Sequence, residues 1–212
     1  MKKFDYSEVK EYKLYDILLP IMNLLSKILF KIKFVGKENV PKTGGVIIAA
    51  NHYNTFDPGF IGISGVRKIH FMTKEEKFVK PFSKWLYTRA NAFPINRGGA
   101  DKSAVEYSIK IIEQGYTLGI FPEGTRSKDG VPQTPKAGVA LIARETKADI
   151  VPVSIYSEGK VKFRSKIIIR FGKAIPYESL GFTQSGKSSE LRAASRLIMD
   201  EIIALREKKF EA

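Results

Sequence analysis

The chain contains no cysteine and only two histidines, His52 and His70, in 212 residues. Without thiols there is no disulfide framework and no thiolate metal site, a composition that fits a reducing compartment. Two histidines leave little for a metal centre, so neither a metal ion nor a cofactor is expected. No Gly-x-Ser-x-Gly elbow occurs either, so the common protein nucleophiles are missing. Acidic residues are also scarce: 22 against 36 lysines and arginines, a net charge of +14. The partner should therefore be anionic. Nucleic acid, an acidic carrier protein, a phosphorylated substrate and an anionic bilayer surface all meet that condition, and charge alone does not choose among them.

A long uninterrupted apolar run is absent as well. Leu14 to Phe30 would extend roughly 25 Å as a helix, close to the thickness of the hydrocarbon layer, but Asp16, Asn23 and Lys27 interrupt it. Pro20 should kink it or split it into two helices. Lys2, Lys3, Lys10, Lys13, Lys31 and Lys33 flank it. Residues 1–34 thus read as an amphipathic membrane-associating segment lying in the bilayer interface rather than crossing it. Packing of the same helix against its own domain is the competing reading. Asp5, Glu8 and Glu11 argue against a signal peptide.

Residues 35–212, in a chain that is 43% hydrophobic, suffice for one α/β domain. Apolar and β-branched clusters predict strands at Val46–Ala50, Ile69–Thr73, Ala92–Ile95, Leu118–Phe121, Ile150–Ile155 and Lys166–Phe171. Apolar spacing of three and four predicts helices at Lys77–Arg89, Lys102–Gln114, Gly138–Thr146 and Ser188–Lys208. This alternation implies a largely parallel central sheet flanked by helices. Ligands of such sheets bind at the carboxyl ends of the strands.

His52 and Asp57, five positions apart after the first of these strands, stand out chemically. An imidazole acting as a general base needs its second ring nitrogen held by an acceptor, and a carboxylate within loop reach supplies one. With no protein nucleophile in view, the hydroxyl so activated belongs to the substrate. On spacing alone, a histidine that only caps a loop fits equally well. However, Lys74, Arg97 and the run Glu123 to Arg126 also lie just past predicted strand ends, so four segments converge on one edge. His70, inside a predicted strand, reads as structural.

Gly181 to Ser188 matches the nucleotide-binding Gly-x4-Gly-Lys-Ser pattern letter for letter. That pattern needs a buried strand just before the loop and an acidic magnesium ligand on a later strand. Only one helix follows, so the segment is expected to be a surface loop capped into the last helix by Ser188.

Asn51-His52 with Asp57, Phe93-Pro94-Ile95-Asn96-Arg97, Phe121-Pro122-Glu123-Gly124-Thr125-Arg126-Ser127 and Val151-Pro152-Val153, in this order, resemble the glycerolipid acyltransferases. The likeness is greatest to the 1-acylglycerol-3-phosphate (lysophosphatidate) acyltransferases and spans about Gly36 to Ile155. It implies that His52 and Asp57 are the catalytic pair, and that Arg97, Glu123, Gly124, Thr125 and Arg126 form the site for the glycerol phosphate. Lys74 matches a family position usually written Ala-Lys, with Thr73 here in place of the alanine.

The implied reaction carries an acyl group from a thioester of acyl carrier protein or coenzyme A to the 2-hydroxyl of lysophosphatidate. Arg126 and Arg97 would grip the phosphate through their forked guanidinium groups. Glu123 is expected to hold an arginine in position or to contact the glycerol, and backbone amides near Gly124 or the Lys74 ammonium to face the oxyanion. The expected partners are the acyl donor, the lysophosphatidate acceptor and an anionic membrane surface, with no nucleic acid. A monotopic enzyme on the cytoplasmic side of the inner or plasma membrane follows. The alternatives are a related enzyme acting on glycerol 3-phosphate or another lysophospholipid, and a non-catalytic basic membrane-binding module.

Overall fold

The strand β2 (Val46–Ala50) is apolar and buried at every position, as befits a strand covered on both faces. It lies inside a seven-stranded sheet in a computed structural model that describes residues 4–96, 101–183 and 186–211. The other strands are β1 (Lys31–Val35), β3 (Ile69–Lys74), β4 (Ala92–Ile95), β5 (Thr117–Ile120), β6 (Ile150–Ser157) and β7 (Lys166–Phe171). Their spatial order is β1-β7-β6-β2-β5-β3-β4. Five neighbours, β6 to β4, run parallel. β7 is antiparallel to β6, and β1 pairs parallel to β7, so these two run in reverse.

Connection handedness sorts the helices. β2 to β3 through α2 (Asp57–Gly62), and β3 to β4 through α3 (Pro81–Arg89), both step the same way along the sheet. β4 to β5 through α4 (Lys102–Glu113), and β5 to β6 through α5 (Gly138–Thr146), step back. Right-handed crossovers therefore place α2 and α3 on one face and α4 and α5 on the other. The core agrees, with α4, α5 and α6 (Ser188–Glu207) packing Tyr107, Ile111, Ile142 and Ile198 against Ile47, Ala49 and Leu118. On the opposite face, Phe60 and Ile61 pack on Ile48, Ile69 and Phe71.

The N-terminal helix α1 (Lys13–Leu29) joins that second layer through Leu19. It is one continuous helix despite Pro20, contrary to the expected break. The ring removes only the bond that would reach the carbonyl of Asp16, and Asp16 sits in solvent. The helix ends at Leu29 because Lys31–Val35 alternates and becomes β1, a strand hidden from sequence reading by the apolar run before it. What α1 presents to the domain is unusual. Tyr15 and Ser26 are its buried residues, and Asn23 donates to the Ile63 carbonyl at 3.4 Å. Ile17, Ile21, Leu24, Leu25 and Ile28 face out.

The helix expected over Lys77–Arg89 starts at Pro81, since Glu75–Phe78 forms a separate 3-10 turn and proline suits a first helical position. Just before the Gly-x4-Gly-Lys-Ser segment a 3-10 turn, Tyr177–Leu180, stands where a nucleotide loop needs a strand. Ser188 does not cap α6; Thr183 bonds Glu190 instead, Oγ1 to Oε1 at 2.6 Å. Gln184 and Ser185 lie outside the described residues.

Candidate active site

β2 ends at Ala50, and the next residue is pinned at once. Asn51 donates from Nδ2 to the Ile155 carbonyl at 3.0 Å and accepts the Ile155 amide at 2.8 Å, tying the loop to β6. His52 follows, with its amide donating to Glu123 Oε1 at 2.7 Å and its carbonyl accepting from the Ser127 amide at 2.9 Å. Its ring stacks on Phe121 at 4.1 Å between centroids. Backbone and ring are thus held by the loop after β5, the strand beside β2.

The His52 ring meets Asp57 as the sequence predicts. Nδ1 lies 2.9 Å from Asp57 Oδ2, and the carboxylate is fully buried. The same oxygen accepts the amides of Tyr53 and Asn54, each at 2.7 Å. Asp57 opens α2, where the helix dipole favours negative charge. A carboxylate ringed by donors accepts rather than donates, so Nδ1 carries the proton and Nε2 keeps its lone pair. The second oxygen, Oδ1, is buried without a hydrogen-bond partner.

Glu123 is 3% exposed, and among the described residues it holds no arginine. Its oxygens are taken by two backbone amides, His52 at Oε1 and Gln133 at Oε2, the latter at 3.0 Å. Burial pushes its pKa up against the pull of these amides. Gly124 follows with φ of +71°, the left-handed region that favours glycine. A Cβ there would also come within 3.0 Å of the Lys136 side chain. The Gly124 amide is not available to an oxyanion, since it donates to the Phe121 carbonyl at 3.0 Å. Thr125 Oγ1 donates to Gln133 Oε1 at 3.4 Å. Arg126 is exposed and donates from Nη1 to Thr55 Oγ1, inside the His52 to Asp57 loop.

Lys74 closes β3, two strands from β2 and about 10 Å away by sheet spacing. Its ammonium contacts Glu76 at 3.4 Å. Arg97 lies outside the described residues. His70 is on β3 and buried at 1% exposure, with Nε2 4.0 Å from Glu11 Oε1 and a pKa lowered to about 4 by desolvation. Among the described residues no cluster of histidine and carboxylate side chains could hold a metal ion. Sequence reasoning passed over Phe121, Gln133 and Asn51 as supports. Phe121 was detectable, as an aromatic exactly one residue past a buried strand and directly before Pro122-Glu123.

A pocket of about 210 Å³ occurs elsewhere, lined by Phe4, Glu8, Tyr12, His70, Asn91 and Tyr107 among others, and His52, Asp57, Lys74, Glu123 and Arg126 are not among its lining residues.

Comparison with known proteins fits this geometry. The pattern of the family described as Acyltransferase matches residues 31–156. The 1-acyl-sn-glycerol-3-phosphate acyltransferase of Bacillus subtilis is 30% identical over 181 residues, covering 84% of this chain and 89% of the relative. The enzyme of that name from Borreliella burgdorferi is 30% identical over 147 residues, or 68% of this chain and 58% of its own length. The crystal structure of the 1-acyl-sn-glycerophosphate acyltransferase PlsC from Thermotoga maritima superposes with a TM-score of 0.69 at 25% identity, covering 92% of this chain and 82% of that one. The chain belongs to the acyltransferase family.

Proposed function

We propose that this chain is a lysophosphatidate acyltransferase, moving an acyl group from a thioester to the 2-hydroxyl of 1-acylglycerol 3-phosphate. The observation that carries the reading is the 2.9 Å contact of His52 Nδ1 with the buried Asp57 carboxylate, on a chain whose relatives bear that activity in their names. Nε2 of His52 takes the hydroxyl proton as the oxygen attacks the thioester carbonyl, a contribution of about 10²–10⁴-fold. The tetrahedral intermediate collapses, the carbon–sulfur bond breaks, and the thiolate recovers the proton from the imidazolium. Asp57 holds the tautomer and stabilises the charged ring. Arg126, poised on Thr55 beside the pair, binds the acceptor phosphate, and Lys74 and Arg97 add positive charge for it. Thr125 and Gly124 shape the turn that carries Arg126. The donor is the thioester of acyl carrier protein or of coenzyme A, both anionic and suited to a chain of charge +14.

A bilayer-resident acceptor requires the site to sit at the membrane surface. No described helix is long and apolar enough to cross a membrane, and α1 shows its apolar side to solvent: Ile17 is 59% and Leu24 63% exposed. The protein therefore lies monotopically in the interface, on the cytoplasmic side of the inner or plasma membrane, where soluble donor is supplied. A panel of acceptors offered with one acyl thioester, read by mass detection of products, tests the reaction. Phosphatidate from lysophosphatidate is expected. Hydrolysis of the thioester with no acylated lipid would assign water as the acceptor, and acylation of glycerol 3-phosphate alone would move the enzyme one step earlier.

A further inference from the structure

Among the described residues, the exposed large apolar side chains are unevenly placed. Val131, Phe163, Leu197 and Phe210 apart, all of them belong to α1, to Phe56 at the start of α2, or to the segment around α3. In α3 the exposed apolar side chains are Phe82 and Trp85, at 72% and 45% exposure, and Val79, just before the helix, is 57% exposed. The spacing of three puts Phe82 and Trp85 in a stripe on one side of the helix. The Phe82 and Trp85 rings stack at 6.1 Å, and Arg89 lies 5.7 Å over the Trp85 ring and 5.1 Å over Tyr12, just before α1. Lys77 and Lys80, both exposed, flank the stripe.

A helix that only covers its own sheet turns its aromatics inward; α3 turns two outward and rims them with cations. It shares the sheet face of α1 and contacts that helix, so both sets of exposed apolar side chains lie on the same face of the sheet. It also follows Lys74 by one 3-10 turn at the carboxyl edge of β3, where the proposed chemistry occurs. We propose that α3 is a second bilayer contact: Phe82 and Trp85 enter the boundary between headgroups and acyl chains, while Lys77 and Lys80 meet anionic headgroups. The Trp85 ring, with its polar N–H, favours that depth, Phe82 adds apolar area beside it, and basic residues near an anionic surface add attraction. Two contacts, α1 and α3, fix the tilt of the domain and keep its active edge at the lipid, which a single helix would leave free to swivel. This inference rests on the membrane-surface reading above.

Trp85 is the only tryptophan in the chain, so the intact protein carries its own probe. Added to vesicles of phosphatidylcholine with phosphatidylglycerol, it should shift its emission to the blue and be quenched by lipids brominated near the headgroup end of the acyl chain. Phe82→Ser, checked for folding by circular dichroism, should weaken vesicle partition by about tenfold. Protein that co-sediments with the vesicles while Trp85 stays unshifted and unquenched overturns the α3 contact and leaves the membrane reading standing. Protein that does not co-sediment at all overturns both. A blue shift that grows with protein concentration in the absence of lipid gives the stripe to a second copy of the chain, and also overturns the contact.

Discussion

The amide of His52 donates to Oε1 of Glu123 at 2.7 Å, joining two strand ends that are 71 residues apart in sequence. Glu123 therefore acts on the histidine's backbone while Asp57 acts on its ring. Glu123→Gln keeps one acceptor but turns an NH₂ group toward a donor amide, at a cost of about 1–3 kcal/mol. Turnover should fall with little change in the KM for either substrate, because the base is displaced and no substrate contact is lost. A variant with wild-type kcat and a raised acceptor KM would put Glu123 on the glycerol instead.

The same carboxylate predicts a pH effect. Burial raises its pKa in the folded chain, so the charged form costs more there than in the unfolded chain. Its contribution to stability is full below the ordinary glutamate value and declines as pH rises through the raised one. The difference in melting temperature between Glu123→Gln and wild type should therefore move in favour of the variant as pH climbs through that window. A difference that stays flat across the window, or moves the other way, rules out the desolvated carboxylate.

Asp57→Asn should lower turnover by about 10²–10⁴-fold, since a neutral amide no longer stabilises the imidazolium that forms as the base takes its proton. The amides of Tyr53 and Asn54 share Oδ2 with His52 Nδ1, so the new amide oxygen stays at that position and still accepts from Nδ1, and what is lost is the negative charge beside the imidazolium. Single-turnover rates measure the chemistry apart from product release, and rates within a few fold of wild type would reduce Asp57 to a cap of the loop.

Much of this site was readable from residue order. His52, Asp57, Lys74 and the Glu123 to Arg126 run were placed on one edge because buried strands announce themselves as short apolar runs, and the residues after them must be at the carboxyl ends. What escaped were partnerships that spacing does not encode. Glu123 looked like a partner for arginine because both are charged, yet its bonds go to backbone amides of His52 and Gln133. β1 escaped because five alternating residues follow directly on a longer apolar helix. Pro20 misled because proline breaks helices by losing one bond and crowding one carbonyl, and on the exposed side of α1 water can satisfy that carbonyl.

Gly119 supports the histidine at one remove. A Cβ at this position would meet the Phe71 ring at 2.3 Å. Phe71 stacks on Phe121 at 5.8 Å, and Phe121 on His52 at 4.1 Å. Gly119→Ala should destabilise the fold by about 1–3 kcal/mol through overpacking and lower turnover beyond what the lost folded fraction explains. Full specific activity per folded molecule would show that the ring stack does not position the base.

Arg126→Ala should raise the lysophosphatidate KM by roughly 10- to 150-fold, the loss of about 1.5–3 kcal/mol expected for a charge-assisted bond. The donor KM should stay within a few fold. Arg126→Lys should recover only part, because an ammonium lacks the planar fork. An acceptor KM indifferent to both changes removes the phosphate role.

Removing residues 1–34 would strip β1 from β7 as well as α1, so a fold defect would obscure any membrane effect. Point changes on the outer face of α1 avoid this. Leu24 and Ile28 are 63% and 54% exposed, so Leu24→Ser with Ile28→Ser should leave the melting temperature near wild type. In the interface each side chain would contribute up to about 1.5–3 kcal/mol of apolar burial, so the double variant should leave anionic vesicles and lose activity on vesicle-borne lysophosphatidate. Activity on detergent-dispersed acceptor should persist, since neither residue is in the His52, Asp57 and Arg126 cluster. A double variant that stays on vesicles with full activity there would mean that α1's outward face meets something other than lipid.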